Sequence, residues 1–434
     1  MESSSRKERG EVMDEFKNKA YELLKEWKGT DYVFGVDCLD KAGQVVSSVG
    51  RKVLLVANTR HMKDTVDEVM HSVSESGIEV VTGGPVPGAR PNSPKDDVYR
   101  ITTYILQFRP DCVVAVGGGS TIDVCKAAVV LSALGSAVTP EVDHYFGTGI
   151  VSTCLASTGR KMLPLVAIET SASSGSHLTK YANVTDVIEG QKKIIVDQAV
   201  VPVRQIFDYK VTCSMPASVT IDGALDALSH TIEVFWGAKE ENYDITRKIC
   251  ETAVALVTGY AKRAVDNPDD IEAREALGLA TDLGGYAIMI GGTSGGHLTS
   301  FSLVDCTTHG TACGLMNPYY AVFYSKAIQR QLKEMLSFFG KDDPGLSGRE
   351  LAVAVATAMM DFSRSIGAPT KLTDIRRFDH DVHVPRAVKA AKDPSLKMKL
   401  QNMPVPMTAH DVDEYMTGIL EAACTGDLRL IKEM

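Results

Sequence analysis

The chain of 434 residues predicts an α/β N-terminal nucleotide-binding domain on a parallel sheet, followed by an all-α C-terminal metal-binding domain. Three observations carry this reading. Short β-rich runs alternate with helical or loop segments through the first half, the pattern of an open parallel sheet. One run, Asp111-Cys-Val-Val-Ala-Val116, passes straight into Gly117-Gly-Gly-Ser120 and a helical stretch. Beyond residue 210 helical periodicity dominates, and an Asp and three His gather between Asp226 and His309. The domains are therefore expected to be residues 1–210 and 211–434.

In chain order, the charged residues 1–9 read as an unstructured leader, and Val12 to Trp27 as an amphipathic helix. Val53 to Ala57, Ile78 to Val81, Val113 to Val116 and Leu165 to Ile168 are the expected strands of the sheet. Gly83-Gly-Pro-Val-Pro-Gly88 is a loop. Tyr181 to Thr185, Lys193 to Val196 and Val200 to Phe207 suggest additional strands with a hairpin among them. No internal repeat or low-complexity segment interrupts the pattern.

The glycine turn after Val116 joins a strand to a helix. Glycines let backbone approach a pyrophosphate, and Ser120 with the first free N–H groups of the helix can donate to its oxygens. Three glycines alone leave a phosphate cradle and a merely tight turn equally open. A second strand, Ala167-Ile-Glu169, also ends in a loop of small hydroxyl residues, Thr170-Ser-Ala-Ser-Ser-Gly-Ser176, suited to a phosphate or a nicotinamide ribose.

Asp226 and His230 lie four residues apart, on one face of a helix announced by Met215-Pro-Ala-Ser and striped by Ala224, Leu225, Leu228, Ile232 and Phe235. Alone they are an ordinary helical carboxylate–imidazole pair. With His297 and His309 they make an N/O donor set suited to Fe(II) or Zn(II), less so to copper or Mg(II). Asp222, one turn before Asp226, is open to three roles: further ligand, acceptor for a metal-bound imidazole, or helix cap.

A net charge of −9 and a pI near 5.6, with Lys and Arg dispersed, argue against nucleic acid or anionic membrane as partners. No stretch approaches the roughly 20 apolar residues of a membrane span. The charged start lacks a signal peptide's apolar region, and nine scattered Cys without a C-x-x-C pair fit a reducing compartment, so a cytoplasmic protein is expected. Cys125, Cys306 and Cys313 near the motifs read as packing residues.

Taken together, Gly117-Gly-Gly-Ser120 with Asp123 and Lys126, Thr170 to Ser176, Asp226-Ala-Leu-Ser-His230 and His309-Gly310 resemble the iron-containing (group III) alcohol dehydrogenases, relatives of glycerol dehydrogenase and dehydroquinate synthase. Asp393 through Asn402-Met-Pro-Val-Pro, with Thr408 opening a helix, is similar to that family's closing pattern. The resemblance covers most of the chain. It implies a dehydroquinate synthase-like fold and one metal on Asp226, His230, His297 and His309, namely Fe(II) with Zn(II) as the alternative. It also implies NADP or NAD contacted by Gly118, Gly119, Ser120, Asp123, Thr170, Ser171 and Ser174, with Tyr181 and Lys192 at matching positions. The activity implied is hydride transfer between a small alcohol or aldehyde and the nicotinamide, in a homo-oligomer (dimer or higher).

Departures from the pattern sharpen these expectations. His297 and His309 are twelve apart, closer than the family's usual interval, and no other His lies between His230 and His309. The family's relay histidine is replaced by Phe301, or by Thr299 counted back from His309; His177 stands where the family often has Glu, either a substitute relay or a satisfied loop histidine. Asn58 ends the strand where NAD-preferring relatives commonly carry Asp, so NADP is expected to be accepted, with Arg60 or Lys63 beside its 2′-phosphate; the plainer reading is a turn-forming Asn. Two other functions stay in view. A metal-assisted lyase or synthase of the same superfamily would need a pocket rich in Lys and Arg, whereas Arg247, Lys248, Lys262, Arg263 and Arg274 read as exposed helix charges, which favours a small neutral substrate. A cofactor-binding protein without turnover is suggested by the missing relay histidine and opposed by the four metal ligands.

Overall fold

The structure, a computed structural model, describes residues 2–434 and divides into two compact units. One is Lys28–Met215; the other joins the chain up to Trp27 with Pro216–Met434. The boundary expected at 210 falls at Pro216, and the N-terminal helix, expected in the α/β domain, belongs to the helical unit. That helix, α1, runs over Glu2–Lys28, so residues 2–9 are its first turns rather than an unstructured leader.

The α/β unit contains strands β1 (Tyr32–Gly35), β2 (Lys52–Ala57), β3 (Glu79–Val80), β4 (Val86–Pro87), β5 (Cys112–Gly117), β6 (Gly147–Thr148), β7 (Leu165–Glu169), β8 (Tyr181–Asp186), β9 (Gln191–Val196) and β10 (Arg204–Asp208). Its helices are α2 (Ala42–Ser47), α3 (Lys63–Glu75), α4 (Lys95–Phe108), α5 (Gly119–Leu134) and α6 (Ile150–Thr158). The main sheet is parallel throughout, in the order β1-β10-β7-β5-β2-β3, with β4 also pairing β2. Side chains alternate between two buried faces. Leu54, Val56, Val113, Ala115 and Ala167 join the layer of α4 and α5, while Val53, Leu55, Val114, Val116 and Ile168 join the layer of α2 and α3. Burial on both faces is why these strands read as continuous apolar runs.

The expected hairpin is β8 and β9, antiparallel, which with β6 forms a separate small sheet. The run from Val200 to Phe207 does not extend it. Only Arg204–Asp208 is extended, and it enters the main sheet between β1 and β7 because Ile206 and Phe207 are fully buried there. Helix α5 is buried around nearly its whole circumference, packing on β5, α4 and β8, and this explains its apolar run Ala127-Ala-Val-Val-Leu131.

The helical unit adds α7 (Ala217–Trp236), α8 (Tyr243–Asp266), α9 (Ile271–Ile290), α10 (Gly295–Ser300), α11 (His309–Phe323), α12 (Gln329–Phe338), α13 (Gly348–Ser365), α14 (His380–Ala391), α15 (Lys397–Gln401) and α16 (Val412–Thr425). Helices α7, α8 and α9 pack mutually, α11 lies on α7 and α13, and α10 is held by α11 and α15. Thr408 does not open the last helix; its amide and hydroxyl bind the Asp411 carboxylate in the turn before α16. Among the described residues no helix is long and apolar enough to cross a membrane.

Candidate active site

In the α/β unit the expected nucleotide-binding residues collect at the carboxyl ends of three adjacent strands. Asn58 follows β2, Gly118 and Gly119 follow β5, and Thr170 follows β7, with Ala57 level with Val116 and Gly117 level with Glu169. From β2 the chain goes to β3 on one side and reaches β5 on the other, so the strand order reverses here. Ligands of open α/β sheets bind at such a reversal. Gly118 precedes α5, whose first amides, Gly119 and Ser120, have no acceptor within the helix. A Cβ on Gly118 would lie 2.5 Å from Ser171 Oγ, and one on Gly119 2.3 Å from Ser174 Oγ. The glycines are therefore needed to bring the turn and the hydroxyl loop together.

Buried carboxylates hold that loop. Glu169 Oε1 accepts from the amides of Thr170 and Ser171 and from Ser171 Oγ, all at 3.0 Å. Its Oε2 meets His177 Nδ1 at 3.1 Å, and His177 Nε2 meets Tyr32 Oη at 3.1 Å. Glu169 and His177 are both wholly buried, so His177 is a loop-organising histidine, removed from any proton exchange with solvent. Asp123 accepts from Ser176 Oγ and from Asn183 through its amide (2.9 Å) and Nδ2 (3.1 Å). Lys126 donates to the carbonyls of Ser176, Thr179 and Tyr181 at 2.7–2.8 Å, and burial pushes its ammonium down to about 8. Both oxygens of Asp123 are thus engaged in tying α5 to the loop and β8. Tyr181, at the start of β8, is buried, which pushes its phenol up to about 12. Lys192 is buried on β9, while its neighbour Lys193 pairs with Glu189 and Asp143 on the rim. Asn58 and Arg60 are exposed, and Lys63 pairs with Asp67 instead of turning toward Asn58.

In the helical unit, Asp226, His230, His297 and His309 come together. The Nε2 atoms of the three histidines stand 3.6, 3.7 and 3.9 Å from Asp226 Oδ1. Donors sharing one cation at about 2.1 Å lie roughly 3–3.5 Å apart, so the spacing is close to that of a coordination shell. His297 Nε2 is buried without a hydrogen-bond partner and faces this point. The N/O set and that orphaned nitrogen fit an Fe(II) or Zn(II) ion. Burial opposes ionisation of Asp226, but the three imidazoles hold its carboxyl well below the usual carboxylate range. Burial pushes His230 down to about 4, its neutral, lone-pair-bearing form. His230 and Asp226 share a helix face as their spacing predicts, and the short interval to His309 is absorbed by α10 ending at Ser300 and a turn leading into α11.

The residues that aim these imidazoles were not read from the sequence. Glu233 Oε1 lies 2.8 Å from His297 Nδ1, and its other oxygen accepts from the Ser294 amide. Ser300 Oγ donates to the His297 carbonyl and so must accept from His309 Nδ1 at 3.0 Å, leaving His309 Nε2 with its lone pair. Glu233 follows Asp226 by seven residues and His230 by three, a helical repeat that was the available signal. Asp222 is a helix cap: its Oδ1 accepts the Thr311 amide at 2.7 Å in the first turn of α11, fixing the helix that starts with His309. Cys313, read as a packing residue, also brings its sulfur to the cluster, 4.0 Å from His309 Nε2. Arg274, read as an exposed charge, is buried and donates to the Pro268 carbonyl and Thr220 Oγ1.

The profile of the iron-containing alcohol dehydrogenases matches residues 29–209, and that of the Fe-containing alcohol dehydrogenase C-terminal domain matches residues 220–420. The chain belongs to the iron-containing alcohol dehydrogenase family. An NAD-dependent methanol dehydrogenase of Bacillus methanolicus is 26% identical over 392 residues, 89% of this chain and 97% of the relative. A 1,3-propanediol dehydrogenase of Klebsiella pneumoniae is 28% identical over 349 residues, 79% and 86% respectively. The crystal structure of a 1,3-propanediol oxidoreductase shares the fold with a TM-score of 0.77 at 23% identity, covering 91% of this chain and 98% of that one. As a member of that family it is an iron-containing alcohol dehydrogenase, a metal-dependent oxidoreductase of alcohols.

Proposed function

We propose that this dehydrogenase holds one Fe(II), with Zn(II) as the alternative, on Asp226, His230, His297 and His309, and NADP or NAD at the carboxyl ends of β2, β5 and β7. The observation that carries the metal assignment is the meeting of three imidazole Nε2 atoms within 4 Å of one buried carboxylate oxygen. When bound, the ion supplies Lewis acidity at the oxygen of a small alcohol or aldehyde, and the nicotinamide exchanges a hydride with its carbon. The chain's own groups bind and orient. Glu233 and Ser300 keep His297 and His309 in the tautomers whose Nε2 atoms are lone-pair donors. The amides of Gly119 and Ser120 donate to the pyrophosphate at the start of α5, and Thr170, Ser171 and Ser174 offer hydroxyls beside it. Asp123 serves this site by tying the loop and β8 to α5, and Tyr181 and Lys192 are further candidate cofactor contacts on β8 and β9. Asn58 carries no charge against a 2′-phosphate, and Arg60, exposed beside it, is the cation to meet one. Phe301 and Thr299 bring no imidazole to the site, and the buried His177 does not replace it.

The test is an anaerobic reconstitution with Fe(II), followed by NADPH and NADH oxidation with short aldehydes. Turnover should require the metal, and His309→Ala should lower bound metal and activity by at least about 100-fold. Asn58→Asp should shift the NADPH to NADH efficiency ratio downward by about 10-fold or more. Full metal content in His309→Ala would overturn the ligand assignment, and equal use of both cofactors by wild type and Asn58→Asp would overturn the role of Asn58.

A further inference from the structure

Lys399, on the short helix α15, is 4% exposed. Its ammonium donates to Thr293 Oγ1 and stands 5.5 Å from the centre of the Phe301 ring. Among the described residues no carboxylate forms an ion pair with it. Lys126 shows the contrast: equally buried, it is met by three carbonyls and has Asp123 at 4.0 Å. An ammonium has three N–H donors and a strongly hydrated charge, and burying it against one neutral hydroxyl is costly unless an anion arrives.

The surroundings say where that anion would come from. Phe301, whose ring is 6.0 Å from that of His309, connects Lys399 to the metal centre. The charged groups that act on Lys399 are Glu233 and Asp226, with the Cys313 thiol, all belonging to that centre. A divalent ion held there would draw on the charge of Asp226 and Glu233, the carboxylates that otherwise offset the ammonium. Burial pushes Lys399 down only to about 8, so the cation persists at neutral pH. The basic residues read from the sequence, Arg247, Lys248, Lys262, Arg263 and Arg274, all precede α11, whereas α15 brings this one from later in the chain.

We propose that Lys399 receives an anionic group of the substrate, and that the enzyme acts on short aldehydes or alcohols bearing a carboxylate or similar oxyanion in preference to neutral ones. This rests on the dehydrogenase reading above. The Fe(II)-loaded enzyme is assayed with matched pairs, 4-oxobutanoate against butanal and phosphonoacetaldehyde against acetaldehyde. At least one anionic member should exceed its neutral partner in kcat/KM by about 30-fold or more, and which pair shows it separates carboxylate from phosphonate. Lys399→Met should collapse that ratio to within about threefold, mainly by raising KM at retained metal content, and Lys399→Arg should keep part of it. Calorimetric titration of succinate, which carries no aldehyde, should show binding to wild type that weakens about 10-fold or more in Lys399→Met. Equal efficiency within both pairs, or succinate affinity independent of Lys399, overturns the proposal. Absence of turnover with every aldehyde alongside Lys399-dependent succinate binding would overturn the dehydrogenase reading and leave the anion receptor standing.

Discussion

At the scale of single residues, the metal centre depends on groups that do not touch the metal. Glu233 is wholly buried and spends one oxygen on His297 Nδ1 and the other on the Ser294 amide and hydroxyl. Burial alone would raise its pKa, but His297 and the Ser294 amide hold it below the usual carboxylate range, so it remains an anion able to fix the imidazole. Glu233→Gln keeps the shape but loses the charge. It should weaken metal binding by about 10- to 100-fold, read as the dissociation constant against a competing chelator, with little change in the folded far-ultraviolet spectrum. Unchanged affinity would mean that packing alone orients His297.

At the scale of elements, the centre is a product of helix approach. A Cβ on Gly310 would lie 2.0 Å from the Asp222 carbonyl and 2.7 Å from Asp226 Cβ, so α11 can lie on α7 only because residue 310 has no side chain. Gly310→Ala should force the two helices apart, lowering stability by about 1–3 kcal/mol and displacing His309 from Asp226. Metal content and thermal midpoint should therefore fall together; a variant that loses neither would show slack between the helices. This scale also explains what was legible in the sequence. The i, i+4 pair Asp226 and His230 was legible because helix geometry alone sets it, and the strands β2, β5 and β7 because burial on both faces leaves uniform apolar runs. Glu233, Ser300 and Lys399 were not, since their roles arise from packing among α7, α10, α11 and α15. Strand β1 was missed because four residues of half-buried chain carry no period, and β10, legible as an additional strand, could not be assigned to the main sheet because its partners are distant in sequence.

At the scale of the molecule, the helical unit is closed by the chain's own beginning. Helix α1 buries Ala20, Leu23 and Leu24, stacks Trp27 on Tyr286 with ring centres 4.4 Å apart, and pairs Lys17 and Lys19 with Glu272 and Glu251. Two buried leucines contribute about 4 kcal/mol. Removal of residues 1–27 should lower the melting transition of the helical unit by about 8–16 °C, measured by calorimetry with the metal loaded. A shift under about 2 °C would show α1 to be an ornament on an already complete unit.

That division has a temporal side. During synthesis the first helix emerges well before its packing partners on α8 and α9, while the whole Lys28–Met215 unit appears in between and is able to fold as it leaves the ribosome. The apolar stripe of α1 must wait through the birth of an entire domain. A growing chain of this protein therefore passes through an interval in which one half is finished and a sticky helix hangs ahead of it, the stage at which chaperones would have most to hold.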